Sequence, residues 1–140
     1  ISNAQDTPDA PEEDKLTYLN IDEFSVKIKL DDEIKDIVYY YDSATDSVRF
    51  STENLVNLGG DSCKPLNMAA LGSLSRSNTL SRGDGFEPYQ LNNKTVFQVN
   101  EAYLIYHGAE SPCGLNEQVI QVSIQQLKLF KEAIPTLQAN

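Results

Sequence analysis

Histidine is almost absent from this chain: His107 is the single one among 140 residues. That excludes a metal centre built on several imidazoles and any two-histidine acid–base chemistry. A serine triad would have to run through His107, yet no Gly-x-Ser-x-Gly or comparable nucleophile setting is present. His107 ends a predicted strand and reads as a hydrogen-bonded structural residue. A phosphate-cradling loop is missing as well, since Gly59-Gly60 is followed by Asp-Ser rather than Lys-Ser/Thr. No run of about eighteen apolar residues occurs, so neither a membrane-spanning helix nor direct insertion into a bilayer is expected. No secretory signal peptide is recognisable. Ser2-Asn3-Ala4 looks like the remnant of a cleaved tag, so a targeting segment is expected upstream of these residues.

Basic residues are also scarce. Eleven lysines and arginines face 21 acids, for a net charge of −10. Residues 6–46 hold thirteen acids and four lysines, a net of −9, which leaves −1 for the remainder. A field of this sign repels phosphate backbones and anionic bilayers, so no nucleic-acid partner is expected.

Cysteine appears twice, at Cys63 in GGDSCKP and at Cys113 in ESPCG. Two readings are open: a disulfide in an exported domain, or two unrelated thiols in a cytosolic one. The polar, turn-like settings favour the disulfide. Closing a loop of this length contributes about 4 kcal/mol in the chain-entropy account, against a net stability of roughly 5–15 kcal/mol for a small domain. A nucleophilic cysteine needs a base and a depressed pKa, and nothing local supplies either.

What is present reads as one domain. Residues 1–15, rich in Pro, Ala, Asp and Glu, form an expected acidic linker preceded by the tag remnant, and residues 16–140 form the expected domain. Within it, Val26, Ile28 and Leu30 alternate with Ser25, Lys27 and Lys29, the period of a half-buried strand. Asp22-Glu23 interrupts this pattern and predicts a turn or bulge between two short strands. Ile37–Tyr41 and Ser47–Ser51 predict a hairpin around Asp42–Asp46. Thr52–Leu55 opens a short helix that ends at Gly59-Gly60. Ala70–Ser75 is compatible with strand or helix, and Gly72 with its flanking serines favours the strand. Residues 95–99 and 102–107 predict two more strands joined at Asn100-Glu101.

The longest element predicted is a helix opening after Cys113. Ile120, Ile124, Leu127, Ile134 and Leu137, with Phe130 between them, recur at helical steps and predict the buried face. Gln121, Gln125, Gln126, Lys128, Lys131 and Glu132 are expected mostly on the other side. Asn116 is the expected N-cap, and Pro135 ends the helix near residue 134. Such a helix needs a sheet to cover its apolar face.

Few residues suggest chemistry. Asp31, Asp32, Glu33 and Asp36 offer oxygen ligands for calcium, without the glycine or spacing of an EF-hand, and read as a solvated face. No cofactor or metal is expected. Arg82-Gly83-Asp84 spells the tripeptide that integrins recognise, in a predicted exposed loop. Asn93-Lys94-Thr95 is a formal glycosylation sequon. Tyr40 is expected to point away from Tyr39 and Tyr41, with core and rim packing the ordinary role of the tyrosines.

The run Leu19-x-Ile21-x-Glu23-Phe24-x-Val26-x-Ile28-x-Leu30 resembles the opening of uncharacterised surface domains of ultrasmall epibiotic bacteria of the Saccharibacteria type, where Trp often replaces Phe24. Cys63 followed by Ala70–Arg76, and Tyr103–Tyr106 followed by Pro112-Cys113 and a terminal helix, are similar too. The resemblance spans about residues 16–138. It implies an N-terminal membrane anchor and an acidic linker, and carries over no activity and no functional residues.

The expectation is an α+β domain: an antiparallel sheet of about five to seven strands packed on a long C-terminal helix, with Cys63–Cys113 tying the middle of the chain to the helix start. The expected role is that of a non-enzymatic extracellular module for a cell-surface protein or glycan. A carboxylate-based hydrolase and a purely structural envelope component are the alternatives.

Overall fold

The computed structural model describes residues 17–34, 36–77, 89–91 and 94–140, the side chains of 89–91 excepted. The expected linker, the Arg82-Gly83-Asp84 tripeptide and Asn93 lie outside the described residues.

Alternation produces the first hairpin. Strands β1 (Thr17–Ile21) and β2 (Val26–Leu30) pair antiparallel, with Ile21 opposite Val26 and Thr17 opposite Leu30. Val26, Ile28 and Leu30 are buried on one face. The predicted interruption is a tight turn over 22–25, in which Ser25 adopts a φ of 56°.

The second hairpin joins β3 (Ile37–Asp42) to β4 (Ser47–Thr52). Its alternation turns Tyr39 toward Phe50 and Tyr41 toward Phe24, while Tyr40 is exposed beneath the Arg49 guanidinium. Further along come β5 (Ser73–Ser77), β6 (Tyr89–Leu91), β7 (Lys94–Val99) and β8 (Ala102–His107). Asn100 and Glu101 both take positive φ, 54° and 63°, between β7 and β8. A two-residue turn of that hand matches the twist of the flanking strands. The sheet runs β3-β4-β5-β8-β7-β6, antiparallel throughout.

Two helices complete the fold. α1 (Glu53–Gly59) begins at Thr52, whose hydroxyl accepts the Leu55 N–H. α2 (Glu117–Ala133) begins at Asn116, whose Oδ1 accepts the N–H groups of Gln118 at 2.8 Å and Val119 at 3.4 Å, the predicted cap. A 3₁₀ turn containing Pro135 ends it, and β9 (Gln138–Ala139) then pairs with β2. The α+β class therefore holds, but the strands divide into two sheets. The smaller, β9-β2-β1, contains the first hairpin and the chain's end. Two residues at β9 are too few to show any periodicity.

One core joins both sheets and both helices. Phe130 of α2 is fully buried, with its ring 4.9 Å from Phe50 and 5.9 Å from Tyr106. The Tyr106 hydroxyl donates 2.6 Å to the Leu71 carbonyl. Burial pushes its pKa up. Beside it, Gly72 has a φ of +101°, and a Cβ there would lie 2.6 Å from the His107 carbonyl oxygen. Only glycine fits that approach. The ambiguous segment thus resolves as a turn through Ala70 and Leu71, both buried, leading into β5.

The disulfide is formed: Cys63 and Cys113 bond with a Cα–Cα separation of 5.1 Å. It ties the 3₁₀ turn after α1 to the loop ahead of α2. Both cysteines are buried, while Asp61, Ser62, Lys64, Glu110 and Ser111 around them stay exposed.

The helix face is the main correction. Buried on α2 are Val119, Ser123, Gln126, Phe130 and Ala133, while Ile124 is 63% exposed. Val119, Phe130 and Ala133 set the inward stripe, and Ile124 lies about 140° around the helix from its middle. Gln126 is tolerated inside because Thr52 Oγ1 donates to its Oε1 at 2.6 Å.

Candidate functional site

Two places concentrate side chains that chemistry can use. The first is a charged knot at the tip of the β3–β4 hairpin. Asp46, at a φ of 52°, accepts two bonds from Arg76, Nε at 2.8 Å and a terminal nitrogen at 3.2 Å. The Tyr41 hydroxyl donates to the same carboxylate at 2.6 Å. Arg76 also stacks 4.9 Å over Phe24. Nearby, Tyr39 donates to Glu23 at 2.9 Å, and the Asn100 amide donates to the carbonyls of Phe24 and Ser25. Every one of these contacts fastens the β1–β2 turn to the larger sheet or braces the residues that do so. The knot is a clamp between the two sheets, with its polar groups committed to one another.

Its titration follows. Hydrogen bonds from Arg76, then Tyr41, hold the Asp46 carboxyl below the usual carboxylate range. Burial, then the bond to Glu23, pushes Tyr39 up to about 12. A depressed acid stabilises the fold above its unfolded pKa of about 3.9 and loses that contribution as pH falls. A raised tyrosine stabilises below about pH 10 and loses its contribution between about pH 10 and 12. Urea midpoints measured against pH are expected to fall at both ends. Asp46→Asn is expected to make the acid limb shallower, and Tyr39→Phe to remove its own share of the alkaline fall, leaving that of Tyr41 and Tyr106.

The residues singled out in the sequence do not form a centre. Asp31 Oδ1 accepts the Glu33 N–H within an exposed turn, and the Asp36 carbonyl accepts the Glu53 N–H. Among the described residues, no three His, Cys, Asp or Glu side chains gather closely enough to hold a metal ion. His107 Nε2 lies 3.3 Å from the Glu110 carboxylate at a half-exposed position.

The second place is the outer side of α2. Ile124 stands out in solvent, with Leu127 half-buried one turn on and Ile120 one turn before. They are three of the six residues the sequence places inside; the other three, Phe130, Ile134 and Leu137, are buried. Against their flank lies a pocket of about 130 Å³ walled by Ala70, Ala109, Pro112, Ser123, Ile124 and Leu127, with Glu110 and Ser111 at its edge. Ile124 and Leu127 also floor an open trough of about 430 Å³ with Lys128, Lys131 and Glu132. Leu115, just ahead of the cap, is 95% exposed. The Ser123 hydroxyl is buried and finds no partner among the described residues. The helix thus places Ser123 and Gln126 inward beside Val119, Phe130 and Ala133, and leaves Ile124 outward. Fully burying an isoleucine side chain gains about 1.5–3 kcal/mol, most of which Ile124 leaves unrealised. An apolar surface rimmed by charge, with Ile124 left in solvent among the described residues, is the form of an interaction site.

A signal for this face exists in the sequence. Val119, Ile120, Val122, Ile124, Leu127, Leu129 and Phe130 are more apolar residues than one stripe of about 100° holds. No protein-family model, no curated protein and no solved structure matches this chain.

Proposed function

We propose that this chain is a non-enzymatic extracellular domain, tethered to a bacterial envelope through its N-terminal side, that binds a protein partner through the outer face of α2. One observation carries the reading: Ile124 stands in solvent, with Ile120 and Leu127 half-buried beside it, on a helix that buries Ser123 and Gln126. Aliphatic side chains in a trough rimmed by lysine and glutamate suit a protein helix or loop better than a glycan. The disulfide supports an oxidising compartment, and the acidic segment over residues 6–14 suits a tether.

Binding of the fluorescently labelled full chain to isolated envelopes tests this. Ile124→Glu is expected to weaken binding at least tenfold, the loss expected when a central apolar anchor is replaced by a charge. Tyr40→Ser, at another exposed position, is expected to leave it unchanged. Loss of binding with Tyr40→Ser and not with Ile124→Glu would move the site to the β3–β4 hairpin.

A further inference from the structure

We infer that the protein seated on this face is a second copy of the same chain, docked helix against helix in antiparallel sense about Ile124. The inference rests on reading the outer side of α2 as an interaction face. A surface that binds its own copy across a two-fold axis must be complementary to itself. The outer stripe of α2 is. Glu117 and Lys131 stand seven residues before and after Ile124, which is about two turns and roughly 10 Å in each direction. Seven residues return to within about 20° of the same stripe. A two-fold axis at Ile124 therefore sets Glu117 of each copy level with Lys131 of the other. It also brings together the two exposed isoleucines, with Ile120 and Leu127 beside them.

The wider charge distribution favours the same pairing. The chain carries −10, and −9 of this belongs to residues 6–46. The α2 segment holds Glu117, Glu132, Lys128 and Lys131, and so has no net charge. Two acidic copies can meet there without setting net charge of one sign against itself. Glu117 lies at the N-terminal end of the helix, with Lys128, Lys131 and Glu132 toward the C-terminal end. Glu117 and Lys131 also suit their own helix dipole, and antiparallel pairing opposes unlike ends.

Sedimentation equilibrium of the full chain, from low micromolar to about 1 mM, is the test. A reversible monomer–dimer equilibrium is expected, weakened by salt. Ile124→Glu is expected to give monomer throughout. Ile124→Gln, which removes the apolar group without adding charge, serves in its place if the glutamate variant does not fold. Glu117→Lys and Lys131→Glu are each expected to weaken the dimer roughly tenfold, because each creates two like-charge contacts. The double variant is expected to restore it. A wild-type chain that stays monomeric overturns the inference. So does a dimer that survives Ile124→Glu, or a double swap no tighter than either single change. A monomeric chain whose envelope binding still depends on Ile124 overturns self-pairing alone and leaves the face with another protein on it.

Discussion

Replacing Cys63 and Cys113 together by alanine is expected to destabilise the fold by about 4 kcal/mol. The bond spans a sequence separation of 50, so the unfolded chain gains much freedom when it is removed. In a domain of this size the loss lowers the melting temperature by roughly 12–16 °C. Alanine is the informative substitute because both positions are buried, and serine would add hydroxyls there without partners. Reductant is expected to lower the wild-type melting temperature by a similar amount and to leave the variant unchanged. A variant within about 1 kcal/mol of wild type would mean that α1 and the start of α2 are held by packing alone. The argument for an oxidising compartment would then lose its physical support.

Phe130→Ala is expected to cost about 3–5 kcal/mol, the range for emptying a fully packed aromatic site. Phe130 contacts Phe50 from the larger sheet and Tyr106 from β8, so its loss opens the place where helix and sheet meet. Ile124→Ala, six residues earlier on the same helix, is expected to change stability by less than about 0.5 kcal/mol because its side chain is largely in solvent. The pair decides which face of α2 is inside. Equal costs at the two positions would return Ile124 to the core and remove the surface on which the functional reading stands.

That contrast also marks how far the sequence could be read. Local signals were legible wherever they were local in cause. Alternation around Val26–Leu30, the Asp42–Asp46 turn, the Asn116 cap and the stop at Pro135 each depend on neighbours a few residues away, and each stands in the structure. The pairing of Cys63 with Cys113 was legible because only two cysteines exist. The inward face expected of the last helix was legible only in part: Phe130, Ile134 and Leu137 are buried as expected, and Ile120, Ile124 and Leu127 are not. Both apolar stripes have helical spacing, and what separates them is a bond from Thr52 to Gln126, residues 74 positions apart. The second sheet was hidden for the same reason, since β9 pairs with a strand more than a hundred residues earlier. The clamp at Asp46 was read only as a turn, because its partner Arg76 lies 30 positions on. The candidate site is half of the residue set expected in the core, namely Ile120, Ile124 and Leu127.

The most direct test of the outer face of α2 is photo-crosslinking from within it. A benzophenone-bearing residue is placed at position 124, and in a separate protein at position 40, in the full chain within the cells that make it. Covalent adducts from position 124 and none from position 40 are the expected result, with a band at twice the chain's mass if the partner is a second copy. Adducts from position 40 and none from position 124 would contradict the account and place the interaction on the β3–β4 hairpin instead.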